Sequence, residues 1–230
     1  MRFQAPESLS EQIAQHLGQR IIQGTLRPGE RIQEMKVAGE LDVSRGSVRE
    51  ALLILERRHL IRIFPRKGAV VSGLSPELVT HLYDIYTGLL IMLAQKLSEN
   101  WKTQDDLAPL ARQVKALNER LDAPDVSTPE IIEGGFEVMR LAYDVVRNPF
   151  LEETLENFRP AISRAYFLAL QQYRREAEAT REFFANLVRQ VQDRDAAAIA
   201  ATVQQFGEKQ CAIVIKALNE DASLSSGVTS

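Results

Sequence analysis

Between Glu34 and Leu55 two helical signals lie so close together that few folds can hold them both. In Glu34–Leu41 the residues Val37, Ala38 and Leu41 share one face. Asp42 stands at a break, where a residue tolerant of left-handed geometry is wanted. Ser44 then reads as an N-cap, and Val48, Ala51, Leu52 and Leu55 form the apolar stripe of the next helix. A connection of a few residues between two amphipathic helices is what a helix-turn-helix requires.

The flanks extend the pattern. Ser8 and Glu11 fit a capping box, and Leu9, Ile13, Leu17 and Ile21 recur at helical spacing until Gly24 stops the helix. Pro28-Gly29 marks a turn. After Arg58, Leu60–Phe64 alternates like a strand, Pro65-Arg66-Lys67-Gly68 turns, and Ala69-Val70-Val71 returns. Three helices and a hairpin with a cationic tip predict a winged helix-turn-helix over residues 1–72.

The chemistry of that segment is directed at polyanions. Arg45 and Arg49 are four residues apart and share the face opposite the apolar stripe. The small Gly46 and Ser47 between them leave the amides of a helix N-terminus open to an anion. In a helix-turn-helix this first turn meets base edges, and arginine reads guanine O6 and N7 there. Charge supports the division of the chain. Up to Ser72 there are 12 Lys and Arg against 8 Asp and Glu, and the remainder holds 16 against 23.

The blocks LRPGERIQE, LDVSRGSVREALLILERRHLI and PRKGAVV resemble the N-terminal domain of GntR-type bacterial transcription regulators. The resemblance implies binding to double-stranded operator DNA through Arg45, Ser47, Arg49, Arg66, Lys67 and Gly68, with Lys36 near the backbone. Gly46 departs from the family pattern, which carries a side chain there, and Asp42 stands where glycine is usual.

From Ser75 onward no strand signal appears. Helices are predicted from Pro76 to about Asn100, from a Thr103 cap to Leu121, and from Thr128 to Arg147. Others follow from Phe150 to Gln172 with a bend at Pro160, from Arg174 to Gln192, and from Asp195 to Asn219. The expected fold is therefore mainly α: an N-terminal winged helix-turn-helix followed by an all-helical antiparallel bundle over residues 73–220. The Ser- and Gly-rich residues 221–230 are expected to be a disordered tail. This half resembles the effector-binding FCD domain of the FadR branch of the GntR family, on helix order and on Asn148-Pro149 and Asp195.

Many members of that branch hold a metal with an Asp and a His four apart, and with one His on each of the last two helices. Counting from Asn148-Pro149 and Asp195, those positions fall on Gly135, Met139, Phe184 and Phe206. None is a ligand for zinc, nickel or manganese, so no metal and no cofactor are expected. Two readings stay open. Met139, Phe184 and Phe206 wall an apolar effector pocket, or they fill the core as part of ordinary helical seams. Arg140, Arg164 and Arg181 are candidate anchors for an acidic effector, or surface and salt-bridged residues.

Other classes find little footing. There is no Gly-flanked serine elbow and no glycine-rich phosphate loop. His16, His59 and His81 lack ligand spacing, and Asp105 and Asp106 are adjacent and do not converge on a helix. The single cysteine, Cys211, allows neither a disulfide nor a cysteine zinc site. Leu89–Ala94 is too short to span a membrane, and the first residues do not read as a secretory signal, so a cytoplasmic protein is expected. The resemblance implies a homodimeric, effector-controlled repressor on a near-palindromic operator. Its rivals are a DNA-binding dimer with a filled bundle and no effector, and a bundle enzyme with an adaptor winged helix.

Overall fold

The computed structural model describes residues 8–121, 123, 125–172 and 176–226, without the side chains of residues 171, 172, 176–178 and 221–226. The chain forms two compact units, residues 1–74 with 157–164, and residues 75–156 with 165–230.

In the first unit, α1 (Leu9–Ile22), α2 (Glu34–Leu41) and α3 (Arg45–Arg57) pack over a small sheet of β1 (Arg31–Ile32), β2 (Ile61–Phe64) and β3 (Gly68–Val71). The strand order is β1-β3-β2, antiparallel throughout, with Ile61 opposite Val71 and Phe64 opposite Gly68. Leu17, Val48, Ala51, Leu55 and Leu60 are almost wholly buried at the centre. The Ser8 and Ser44 side chains accept from the amides of Glu11 and Ser47, satisfying donors that a helix start leaves free. The Glu11 carboxylate does not complete the expected box; it pairs with Arg58 at 2.7 Å. Asp42 caps α2 in the left-handed region, at φ 52°. The middle of α7 (Pro149–Gln172) belongs to this unit. There the Phe158 ring stacks on His59 with centroids 5.4 Å apart.

The second unit is all-helical among the described residues: α4 (Pro76–Asn100), α5 (Gln104–Leu121), α6 (Thr128–Val146), the ends of α7, α8 (Glu176–Asp193) and α9 (Ala196–Ser226). One start differs from expectation, and α6 starts at Thr128 as expected. Asp106, not Thr103, satisfies the amides before α5, accepting from Lys102 and Thr103 at 2.8 and 2.9 Å. Ser127 caps α6 in a full capping box with Glu130. The end of α4 is held by Arg194, which lies over the Trp101 ring and donates to the carbonyls of Ser98 and Trp101. α4 packs along α9, where Gly207 lets the backbone come up against Thr87. α9 continues to Ser226, beyond the expected end at Asn219; no Gly or Pro interrupts the sequence between Gly207 and Gly227. Residues 227–230 of the expected tail lie outside the described residues. No described helix is long and apolar enough to cross a membrane.

Candidate DNA interface and candidate effector cavity

The first turn of α3 presents Arg45 and Arg49 to solvent, both more than 60% exposed. Glu34 on α2 gathers them. Arg49 donates to both carboxylate oxygens, at 2.9 and 3.3 Å, and Arg45 lies 4.0 Å away. The hydrogen bond from Arg49 holds the Glu34 carboxyl below the usual range against the opposing effect of burial. The Ser47 hydroxyl is hydrogen-bonded to the Ser44 hydroxyl at 2.9 Å. Gly46 is exposed, and a Cβ there would meet only the Ser44 Oγ, at 3.6 Å. Glycine at that position thus meets no steric need; it leaves the backbone bare.

The wing turns where the sequence places it. Lys67 N donates to Phe64 O at 3.2 Å, and Arg66 occupies the third turn position at φ 66°. That is the geometry of a type II turn with proline second, in which glycine or asparagine is the usual third residue. Arginine there puts a cation at the tip at the expense of backbone strain. Gly68 is also left-handed, and a Cβ on it would come 3.7 Å from the guanidinium of Arg31. Arg31, on β1, thus joins Arg62, Arg66 and Lys67 on the wing; it was missed because a two-residue strand leaves no periodic signal. Lys36 is exposed and 3.8 Å from Glu40, its neighbour one turn along.

In the second unit Gly135, Met139, Phe184 and Phe206 line one cavity of about 140 Å³. Phe184 and Phe206 pack in one apolar cluster and also border this hollow. Phe183 stacks on Phe206, with centroids 4.0 Å apart, and meets Phe184 edge-on at 5.0 Å. The three rings form a wall, and the hollow lies against it. Met139 faces the same space, its sulfur accepting from the Tyr86 hydroxyl at 3.3 Å. Gln210 and Tyr166 also line it, and sequence reasoning passed over both. The signal for Gln210 was present: it follows Val203 and Phe206 at helical spacing, a polar group on an apolar face.

The three candidate anchors do not join this cavity. Arg140 is exposed and engaged by Glu137 at 2.6 Å and Asp144 at 4.0 Å, one turn away on the same helix. Arg164 is buried in the first unit, where it donates to the Ser72 carbonyl at 2.7 Å. Arg181 is half-buried on α8 and does not line the cavity. The metal that the FadR branch implies finds no fit either. A thioether already hydrogen-bonded to tyrosine, two phenyl rings and a glycine offer a divalent ion no donor set. Among the described residues no cluster of His, Cys, Asp and Glu could hold one.

Comparison with known proteins agrees with this division. Residues 9–71 match the family described as bacterial regulatory proteins, gntR family, and residues 81–208, more than half the chain, match the FCD domain. The gluconate operon transcriptional repressor of Bacillus subtilis (strain 168) is 26% identical over 71% of this chain and 66% of its own length. The HTH-type transcriptional regulator YdhC of the same organism is 30% identical over 64% of each. These alignments span just under two thirds of either relative. Among solved structures, E. coli McbR/YncC superposes with a TM-score of 0.75 at 22% identity, covering 92% of this chain and 99% of that one. The chain belongs to the GntR family of bacterial transcription regulators, carries an FCD domain behind its winged helix, and is not an enzyme.

Proposed function

We propose that this protein is a homodimeric, ligand-responsive repressor whose operator affinity is set by a small molecule in the bundle cavity. The observation that carries the reading is the cavity: about 140 Å³, almost wholly apolar, walled by Met139, Phe184 and Phe206. Arg45, Ser47 and Arg49 read base edges of a half-site, while Arg66, Lys67, Gly68 and Arg31 bind the backbone beside it. Repression is the polarity carried in the name of the Bacillus gluconate operon relatives.

Dimerisation has its own support on α4. Leu78, Ile85 and Met92 recur every seven residues and are each about half exposed, with Leu82 and Leu89 between them. That is a seam of alternating four- and three-residue spacing, as in paired helices. A two-fold dimer presents two winged domains to a near-palindromic operator. The ligand switches the protein only if it binds the DNA-competent and DNA-incompetent arrangements with different affinity.

The test is operator binding by the full chain, followed by fluorescence anisotropy against a small-molecule library, with sedimentation in parallel. The expected result is a species of about twice 25.9 kDa and compounds that release DNA from the wild type but not from Met139→Trp, which fills the cavity. A monomer on DNA, or release unaffected by Met139→Trp, overturns the reading.

A further inference from the structure

We infer that the effector is an uncharged molecule the size of one substituted six-membered ring, whose single polar group is met by the side-chain amide of Gln210. This deepens the preceding reading and rests on it.

Size comes first. An apolar cavity of roughly 150 Å³ accommodates benzene, and this one is about 140 Å³. The space is of the size that takes one ring and a short substituent. Its walls favour an aromatic ring. Phe184 meets the face of its neighbour edge-on and Met139 contributes a polarisable sulfur, so ring edges and thioether are both on offer.

Charge comes second. Among the described residues no acidic or basic side chain lines the cavity. A carboxylate placed there would lose its water with no cation to replace it. The arginines that would have served are spent elsewhere: Arg140 on Glu137 and Asp144, Arg164 on the Ser72 carbonyl.

The polar group comes third. Gln210 is 2% exposed and lines the cavity. Leucine would fill that volume without burying an amide. A ligand hydroxyl, carbonyl or carboxamide can pair with the amide there. Tyr166, on α7, adds a second neutral polar side chain to the wall; burial pushes its hydroxyl well above the ordinary tyrosine range, so it stays protonated.

Three probes of nearly equal shape separate these statements: benzyl alcohol, toluene and benzoate. Each is titrated calorimetrically into the full-length wild type, Gln210→Leu and Met139→Trp. The alcohol is expected to bind wild type about tenfold tighter than toluene, the worth of one net hydrogen bond, with benzoate undetected at the same concentration. In Gln210→Leu the preference for alcohol disappears while toluene still binds, which also shows that this variant folds. In Met139→Trp both ligands are lost. If benzoate binds as tightly as the alcohol and is lost in Met139→Trp, the cavity remains the effector site and the neutral class is overturned. If the alcohol preference survives Gln210→Leu, the role of Gln210 is overturned. If no probe binds the wild type, or Met139→Trp binds them unchanged, the cavity is not a ligand site and both readings fall.

Discussion

Replacing Gly207 with alanine should force α9 away from α4, although alanine is the better helix former. An ideal Cβ at 207 would fall inside contact distance of the Thr87 Oγ1, 3.0 Å from its Cγ2 and 3.2 Å from its Cβ. Thr87 is buried and stiff at χ1, and its own Cβ lies 3.2 Å from the added atom, so turning the hydroxyl aside does not remove the close approach. The helices themselves must separate. Overpacking of this kind costs about 1–3 kcal/mol, and here the upper end applies because the first and second contacts are both with a stiff side chain. The propensity gain of alanine over glycine offsets about 1 kcal/mol. The net loss is therefore about 1–2 kcal/mol, a fall in melting temperature of roughly 2–8 °C for a chain of this size. Thr87→Ala in the same chain removes the hydroxyl and methyl that clash. A double-mutant cycle by urea unfolding should then show a favourable coupling of at least ~1 kcal/mol. Phe206 and Gln210 flank Gly207 on α9, so the single variant should also weaken ligand binding in the cavity, and Thr87→Ala should restore part of it. A Gly207→Ala protein more stable than wild type, or strict additivity in the cycle, refutes this account of the α4–α9 seam.

Arg45→Ala and Arg49→Ala should each lower affinity for the cognate operator about tenfold to a hundredfold, with little effect on random DNA. Arg66→Ala and Lys67→Ala should weaken both equally and flatten the salt dependence; a competition assay on the two duplexes distinguishes these outcomes. Asp106 is held below the usual carboxyl range by hydrogen bonds from the backbone amides of Thr103 and Lys102. Its stabilisation is complete above the unfolded aspartate pKa near 4, and is lost as pH falls through the depressed folded value. The gap in melting temperature between wild type and Asp106→Ala should therefore be level from neutral pH to about 5 and close well below 4; a gap that persists in strong acid contradicts the assignment. Zinc or nickel should leave the melting temperature unchanged, since only binding to the native state raises it. A metal-dependent rise abolished by Met139→Ala would show the helices to be in a different register.

The winged domain was legible because its signals are local. Ser8 and Ser44 each accept from the amide three residues on, as their spacing implied. Asp42 takes the left-handed cap that its position required. What escaped was non-local. Glu11 leaves its own helix start because Arg58 approaches from the far end of α3. β1 exists because β3 offers a second edge, and two residues cannot announce themselves by alternation. In the helical half the differences are at helix ends: Asp106 takes the role expected of Thr103 at the start of α5, and α9 runs seven residues past its expected end.

The cavity was half legible, and the missing half is a property of sums. Periodicity places Met139, Phe184 and Phe206 on inward faces, but whether inward faces touch or leave a hollow depends on volumes added across six helices. No window of sequence holds that total. The arginines failed for a simpler reason: Glu137 and Asp144 lie three and four residues from Arg140, a spacing that already predicted where its charge would go. Exchanging ion ligands for Gly135, Met139, Phe184 and Phe206 also changes how such a site discriminates. A metal selects by coordination, through strong directed bonds to charged groups. An apolar space selects by volume, where one methylene more or less is worth about 1–3 kcal/mol. In the proposed reading, selectivity therefore depends on walls that do not yield. The Phe183–Phe206 stack and the contact of Gly207 with Thr87 supply that stiffness, on the helix that also carries Gln210. A ligand that fits lowers the energy of the arrangement whose walls match it; one a methylene too large must push α9 off α4. Size discrimination and switching are then one event, read at the same helix seam.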